Sequence, residues 1–411
     1  MRQAGWVAFL PSVVLTLLLG GTVVPAAPPP DPAGVPATAQ QQPSEEGDEA
    51  AASALPAVTR LAGDGRIDTA VAVSKAAFPE GADTVVLAAA ATFPDALAAA
   101  PLAAALQGPL LLTGDRTSTA VWDELARLGA QAVVIVGAVG AVPAVVQAEL
   151  VRAGLDVGRI AGETRFDTAA LIARQVVALR EDDAGPLQEV VVASGTSAPD
   201  ALAAAPLAAA QGSPILLVAG EVVPGDTAEV LAELGVERTL LVGGRGAVAD
   251  DVAASLPGVT RVAGDTRYET AVAVARLALE RGASPETVVL ATGRDFPDAL
   301  AAGYLTARAG GLLLLVDGQD VSGSQAARTL LEEHAGQVAA LLVLGGQRAV
   351  SAAVAEELAT VAAAPPADPT PQPTTSPTPS PTTSPTPSLT LEPEATTETS
   401  SRVIERPSEG P

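Results

Sequence analysis

The stretch RLAGDGRIDTA at residues 60–70 decides the fold, because it returns twice along the chain. It reappears as RIAGETRFDTA at residues 159–169 and as RVAGDTRYETA at residues 261–271, so the first arginines are separated by 99 and 102 residues. A period of about 100 residues is far longer than that of solenoid repeats, and a unit of this size can fold as a small domain. The sequence therefore predicts three tandem modules.

Two further blocks follow each copy of this signature in the same order. The second block is FPDAL or APDAL, at residues 93–97, 198–202 and 296–300. The third block is rich in glycine, at residues 136–140, 242–246 and 344–346. Chance does not place three blocks in one order three times, and we divide the body into repeats at 58–156, 157–258 and 259–361.

Short apolar runs alternate with amphipathic stretches inside the first repeat. The runs are bounded by glycine and polar residues and predict buried strands at 84–87, 109–113 and 132–136. Helices are predicted around and between them, at about 67–78, 93–106, 117–128 and 141–153. This alternation predicts an α/β fold, with three Rossmann-like modules whose parallel sheets are covered by helices.

The segments on either side of the repeats differ from them in composition. Residues 1–27 have the pattern of a secretory signal peptide, with Arg2, an apolar run and small residues at the cleavage point. Residues 28–57 are predicted to be a disordered acidic and Pro-rich spacer, and residues 362–411 a disordered Pro/Thr/Ser-rich tail. We therefore expect a secreted protein that has no membrane association after cleavage.

The composition provides few of the side chains that commonly act in catalysis. The 411 residues include no Cys and one His, and the formal net charge is −24. His334 stands beside Glu332 and Glu333, which is typical of a solvated helix end. We therefore expect no catalytic residue, no metal and no cofactor, and the acidic charge argues against nucleic acid as a partner. The glycine blocks lack the spacing of dinucleotide-binding or Walker motifs.

The threonines and acids of the first two blocks have the spacing of helix caps. Thr164 and Thr266 each stand three residues before an acid, as in a capping box, and Gly65 takes the same place as a weaker cap. Thr92, Ser197 and Asp295 are predicted caps of the second block. Capping or bonding to a neighbouring loop is the first interpretation, and direct ligand contact the alternative, for Asp68, Thr69, Asp95, Asp167, Thr168, Asp200, Glu269, Thr270 and Asp298.

Helix capping does not require the second arginine of each signature. Arg66, Arg165 and Arg267 stand at predicted helix starts, where free N–H groups and positive partial charge favour an anion. A guanidinium there can bind phosphate or carboxylate bidentately. The alternative is an ion pair that ties neighbouring modules together. The sequence leaves both interpretations open.

With its three signatures and accompanying blocks, the body resembles the cell wall-binding repeat type 2 family over about residues 58–361. The resemblance implies Rossmann-like modules around a pseudo-threefold axis and non-covalent attachment to an anionic polysaccharide or teichoic-acid-like polymer of the Gram-positive wall. The protein would then be retained at the bacterial surface. Carried over by motif, the polymer-binding positions are Arg60, Arg66, Arg159, Arg165, Arg261 and Arg267.

The sequence supports one function ahead of two others. The first is a secreted, non-enzymatic cell-wall-binding protein. The second is an amidase-like peptidoglycan hydrolase or a modifier of one, with the repeats for targeting. The third is an adhesive or structural surface protein whose repeats self-associate.

Overall fold

The computed structural model describes residues 55–92, 94–180, 187–294 and 297–363. The strands of the first half of this part are β1 Ala57–Leu61, β2 Thr84–Ala89, β3 Leu110–Thr113, β4 Ala132–Val136, β5 Asp156–Ile160 and β6 Glu189–Ser194. Those of the second half are β7 Ile215–Val218, β8 Arg238–Val242, β9 Val259–Val262, β10 Thr287–Thr292, β11 Leu312–Val316 and β12 Ala340–Leu344. They form three separate four-stranded sheets, in the orders β3-β2-β4-β5, β7-β6-β8-β9 and β11-β10-β12-β1.

All neighbouring strands in the three sheets are parallel, which confirms the predicted α/β class. Each sheet takes three strands from one repeat and its fourth from the start of the next. Arg159 of β5 thus lies opposite Ile135 of the first repeat. The first strand of the chain completes the cycle, because Arg60 of β1 lies opposite Val343 of the third repeat. We call this closed arrangement the ring.

The donated strands were not predicted, because the signature was interpreted as the opening of a helix. Its first half is instead the end of a strand, and only its second half begins a helix. β1, β5 and β9 are edge strands with many exposed or half-exposed residues, so they lack the uniform apolar run that reveals β2, β3 and β4. The sheets consequently extend across the repeat boundaries that the motifs define.

The helices cover both faces of the sheets. In the described residues they are α1 Arg66–Ala77, α2 Ala99–Ala105, α3 Thr119–Leu128, α4 Ala144–Arg152, α5 Arg165–Ala178, α6 Ala198–Ala210, α7 Gly225–Leu234, α8 Asp250–Ala254, α9 Arg267–Glu280, α10 Pro297–Leu300, α11 Ala302–Arg308, α12 Gln325–Glu333 and α13 Ala352–Ala363. A 3₁₀ turn at Pro94–Ala98 precedes α2. The four helical stretches predicted in the first repeat are confirmed within a few residues.

Three equivalent helices, the Ala-rich α2 and α6 and the Gly303-containing α11, contact one another at the centre of the ring. Their small side chains allow close approach: a Cβ atom on Gly303 would lie 2.7 Å from the Cβ of Ala100 and 2.9 Å from that of Ala205. Around this centre, α5 packs on the 3₁₀ turn of the first repeat, α9 on α6, and α1 on α10 and α11. Because the same contact recurs at all three boundaries, the arrangement has the expected pseudo-threefold form.

One charged side chain is fully buried between α1 and α3. Glu124 has no exposed surface, and Arg127 holds both of its carboxylate oxygens at 2.8 Å while Ser74 donates to one of them at 2.5 Å. A buried charge is tolerated only when such partners replace its lost hydration. This cluster fastens the two helices together.

The predicted signal peptide, most of the spacer and nearly all of the tail lie outside the described residues. At the edges of the body, β1 begins at Ala57, and α13 continues through Ala363, two residues into the range assigned to the tail. None of the helices that the structure describes is both long and apolar enough to cross a membrane.

Candidate functional site

The three signatures meet the glycine blocks at the carboxyl ends of the strands, where one repeat joins the next. In each sheet the loops after the two central strands diverge there, which is where open α/β sheets bind ligands. We name the meeting points by the repeats that they join. Junction 1–2 contains Asp95, Gly137 and Arg165, junction 2–3 contains Asp200, Gly243 and Arg267, and junction 3–1 contains Asp298, Gly345 and Arg66.

The first arginine of each signature binds the preceding repeat. Nη1 of Arg60 donates to the carbonyl of Gly345 at 2.7 Å. Arg159 and Arg261 make the same bond to Gly137 and Gly243, at 2.6 and 2.8 Å. Each guanidinium thus joins a donated edge strand to the glycine loop of its sheet, a structural contact.

Further contacts of these arginines support the structural role. Arg261 also forms an ion pair with Asp250 of the second repeat, at 3.4 Å, and Nε of Arg159 donates to Gln147 of the first repeat at 3.0 Å. Burial lowers the pKa of the Arg159 and Arg60 guanidiniums, as expected for groups that are partly withdrawn from water. The first arginines are therefore ties between repeats.

The second arginine of each signature is the first residue of its helix and binds a carbonyl of its own repeat. Nη1 of Arg66 donates to Ala90 at 2.8 Å, that of Arg165 to Gly195 at 2.8 Å, and that of Arg267 to Gly293 at 2.7 Å. None of the three forms an ion pair with a carboxylate of the described residues. A guanidinium has five N–H donors, so these side chains keep donors for a ligand.

The aspartates of the second block lie inside the junctions. Asp200 is buried against Gly243, where a Cβ would meet its Oδ2 at 2.8 Å, and Asp95 packs in the same way on Gly137. Burial raises the pKa of Asp95, and a hydrogen bond from Thr168 and the charge of Arg165 partly offset this rise. Burial likewise raises the pKa of Asp200, against the charge of Arg267. Asp95 is thus bonded to the next repeat, and Asp200 lies in the field of an arginine of the next repeat.

The predicted caps of the second block differ from the structure. Ser197 makes no side-chain cap bond to α6, so that prediction is wrong. In its place Ser194 and Thr196 bond to each other within the preceding turn, at 2.9 Å. Asp295 lies outside the described residues.

The threonine that follows the acid in each signature holds the signature loop in shape. Oγ1 of Thr69 accepts from the N–H of Gly63 at 3.4 Å. Thr168 and Thr270 accept from the N–H groups of Gly162 and Gly264, both at 3.1 Å. The glycine is required, because a Cβ at residue 63 would overlap the side chain of Asp68. The motif threonines therefore hold the loop that precedes each helix start, through bonds to its glycine N–H groups.

Two of the three signature helices have the predicted threonine caps. Oγ1 of Thr266 accepts from the N–H of Glu269 at 3.3 Å, and Glu269 accepts from the N–H of Thr266 at 3.0 Å, which completes a capping box. Thr164 accepts from the N–H of Asp167 at 3.1 Å, and Asp167 accepts one residue earlier than in a capping box, from Glu163. Gly65 offers no side-chain cap to α1.

Junction 3–1 contains an open cleft of about 420 Å³. Its walls include the signature loop of the first repeat, Asp298 and Gly346 of the third, and two arginines that sequence reasoning missed, Arg294 and Arg348. Neither arginine belongs to a repeated motif, because the corresponding residues elsewhere are not cationic. Comparing the three copies position by position for unique charges would have found them.

The described residues contain no group of three or more His, Asp and Glu side chains that could hold a metal ion. His334 ends α12 half-buried, rather than fully solvated as expected, and its Nδ1 has no hydrogen-bond partner there.

Comparison with known proteins gives consistent matches over the repeats. Residues 60–147, 159–253 and 261–355 each match the family Cell wall binding domain 2 (CWB2). N-acetylmuramoyl-L-alanine amidase LytC of Bacillus subtilis is 32% identical over 251 residues, which are 61% of this chain and 48% of that protein. The amidase enhancer of the same organism is 30% identical over 256 residues, or 61% and 33% of the two chains. The match thus spans half or less of either relative.

Solved structures show the same fold. Cwp6 from Clostridium difficile superposes with a TM-score of 0.68 at 25% identity, covering 76% of this chain and 49% of that one. Cwp8 from the same organism gives a TM-score of 0.64 at 26% identity, covering 74% and 51%. With three family matches in the order of the three signatures, this chain belongs to the Cell wall binding domain 2 family.

Proposed function

We propose that this chain is a secreted, non-enzymatic protein that attaches non-covalently to anionic polymers of the Gram-positive cell wall. One observation carries the proposal: the second arginines, Arg66, Arg165 and Arg267, stand at equivalent junctions with donors that no described carboxylate occupies. Guanidinium groups at the starts of helices are suited to bind phosphate or carboxylate groups. Three such groups on one ring let a long polymer make several weak contacts at once, which raises the overall affinity.

In this proposal, the repeats bind the polymer and do not catalyse a reaction. Asp95 is hydrogen-bonded to Thr168 and lies in the field of Arg165 across its junction, and Asp200 lies in the field of Arg267. A general base needs a free route to substrate, whereas Asp95 and Asp200 pack on Gly137 and Gly243. We therefore assign the aspartates to the structure of the junctions and the arginines to the ligand.

Co-sedimentation with isolated walls tests the proposal. The purified chain should sediment with Gram-positive walls and remain in solution once the anionic polymers have been extracted from them. A variant with Arg66, Arg165 and Arg267 replaced by Gln should lose most binding while it keeps its circular dichroism spectrum. The control is Arg152→Gln/Arg238→Gln, which removes two exposed guanidiniums at the opposite end of the sheets. Equal binding before and after extraction would refute an anionic ligand.

A second candidate function comes from the names of two relatives, an amidase and an amidase enhancer. The chain would then cleave peptidoglycan or assist a hydrolase. A cleared zone of the purified chain on a peptidoglycan gel would favour cleavage, and faster lysis by an added amidase would favour assistance. Self-association of the repeats, the third candidate, predicts concentration-dependent oligomers that persist in the triple arginine variant.

A further inference from the structure

We propose that the three junctions are not equivalent and that the cleft of junction 3–1 is the principal binding site, specific for a phosphodiester-linked polymer. This inference rests on the proposed function and names the chemistry of its ligand. The residues that carry it are Arg66, Arg294 and Arg348 in the wall of the cleft, together with the uncapped start of α1.

The cleft of junction 3–1 holds more positive charge than its counterparts. Three arginines and two aspartates line it, although the chain as a whole is strongly acidic. The position of Arg294 is occupied by Ala91 and Thr196 in the other repeats, and that of Arg348 by Gly140 and Gly246. Among the described residues, only the cleft of the ring-closing junction therefore combines a signature arginine with both Arg294 and Arg348.

The arginine in the glycine block of junction 2–3 already forms an ion pair. Arg245 stands one residue before the counterpart of Arg348 and forms an ion pair with Asp250 at 3.0 Å. At junction 1–2 the residue in the same place is Val139, which is exposed. Arg348 of junction 3–1 therefore has no unpaired cationic counterpart in the glycine block of either other junction.

The guanidiniums of junction 3–1 are available. Arg348 is exposed, and its guanidinium has no hydrogen bond or ion pair in the part of the chain that the structure describes. Arg294 pairs with Asp317 at 2.7 Å, but its side chain is 56% exposed. A guanidinium has five N–H donors, and the ion pair with Asp317 uses one through Nη2. Arg66 uses Nη1 for Ala90 and keeps its other donors.

The backbone leaves one more N–H group uncapped at this junction than at the other two. The caps Thr164 and Thr266 occupy N–H groups of the first turn in the second and third repeats. α1 begins after Gly65, which has no side chain that could accept a hydrogen bond from these N–H groups. A Cβ on Gly65 would have Asp68 Oδ2, 4.0 Å away, as its nearest contact, so the space beside the helix start is open. Free N–H groups at the start of a twelve-residue helix favour phosphate.

A second cleft continues the site toward Arg267. Thr292 and Arg294 line both the cleft of junction 3–1 and a neighbouring cleft of about 150 Å³ that contains Arg267, Pro199 and Leu202. The two clefts together hold four arginines, and Pro199, Leu202 and Leu315 give the second cleft an apolar wall. This pattern fits a chain of phosphates that are linked by short carbon segments better than it fits a single ion.

The direction of the donors distinguishes phosphate from carboxylate. A carboxylate is planar and is satisfied by one bidentate guanidinium, whereas a phosphate group presents oxygens in several directions. Arg66, Arg294 and Arg348 come from three different loops, and the start of α1 adds backbone N–H groups. We therefore expect phosphodiester polymers to bind more tightly than polyuronates of equal charge.

Calorimetric titration of the full chain with poly(glycerol phosphate) of defined length tests the inference, with polygalacturonate of the same charge for comparison. Arg294→Gln/Arg348→Gln should weaken poly(glycerol phosphate) binding by about tenfold or more, because two charge-assisted contacts are lost. The matched control Arg245→Gln/Arg238→Gln removes the same charge and should change binding by less than about twofold. Equal losses in the two double variants, or no loss in either, overturn the inference, as does tighter binding of polygalacturonate.

Gly65→Thr provides an independent variant that does not alter charge. Its hydroxyl should cap α1 as Thr266 caps α9, leave stability unchanged or raised, and weaken poly(glycerol phosphate) binding severalfold. Unchanged binding in a correctly folded Gly65→Thr protein would remove the helix start from the site and overturn that part of the proposal.

Wall co-sedimentation of the wild-type chain separates this inference from the proposed function. Sedimentation with walls but no binding of poly(glycerol phosphate) overturns the phosphodiester site and leaves wall attachment standing. Binding of the soluble polymer through Arg294 and Arg348, without sedimentation, overturns wall attachment and leaves the site standing.

Discussion

Replacing Gly303 tests whether the close contact of α2, α6 and α11 holds the ring together. An added Cβ would lie 2.7 Å from the Cβ of Ala100 and 2.9 Å from that of Ala205, whereas ordinary contact begins at about 3.4 Å. The helices must therefore separate by about 1 Å, and forced expansion of a packed core costs about 1–3 kcal/mol. Alanine in place of a helical glycine returns at most about 1 kcal/mol. Gly303→Ala should thus lower the free energy of unfolding by about 1–2 kcal/mol.

Urea unfolding followed by far-ultraviolet circular dichroism and by the fluorescence of half-buried Trp122 measures this change. Gly303→Val should cost more than Gly303→Ala, because it adds further atoms to the same contact. Ala205→Gly removes one of the two opposing methyl groups, so in the double variant it should recover part of the loss. A Gly303→Ala protein that is about 1 kcal/mol more stable than wild type, as an unhindered helical glycine would give, refutes the reasoning.

Two more predictions follow from buried carboxylates. Arg127→Ala leaves Glu124 charged, buried and without its main partner, and should lower the free energy of unfolding in urea by about 3–5 kcal/mol. The double variant with Glu124→Gln should be more stable than Arg127→Ala, because it removes the buried charge. A double variant as unstable as Arg127→Ala would contradict this account. Burial raises the pKa of Asp200 above its usual 3.8, so the folded state retains a proton that the unfolded state has lost. Stability should therefore fall as the pH rises from 3.8 through the folded-state pKa, and Asp200→Asn should abolish that part of the fall; parallel pH profiles of the two proteins' urea midpoints would contradict the assignment.

The local elements were predictable because they depend on local chemistry. Uniformly apolar runs such as 132–136 are buried strands in the structure, and the Thr266 capping box is formed as its spacing indicated. The donated strands were not predictable in the same way. β1 is a half-exposed edge strand whose partner, β12, lies at the other end of the body, and no local pattern encodes that pairing.

The candidate site was predicted in part. The signature identified Arg66, Arg165 and Arg267 as residues at helix starts, and the structure places them at the junctions. It could not separate them from the first arginines, which bind glycine carbonyls of the preceding sheet, because that role depends on the exchange of strands. Arg294 and Arg348 were missed because a search for repetition discards residues that occur once.

The closure of the ring by β1 governs the order in which the molecule can assemble. The bonds of Arg159 and Arg261 to their glycines span 22 and 18 residues, whereas that of Arg60 to Gly345 spans 285. In an otherwise unfolded chain the long loop costs about 2 kcal/mol more entropy to close. β1 is synthesised before the other described strands and is thus the last of them to find its partner. Two sheets can form while synthesis continues, and the third waits for the whole body to exist, which makes a truncated translation product an open chain rather than a smaller ring.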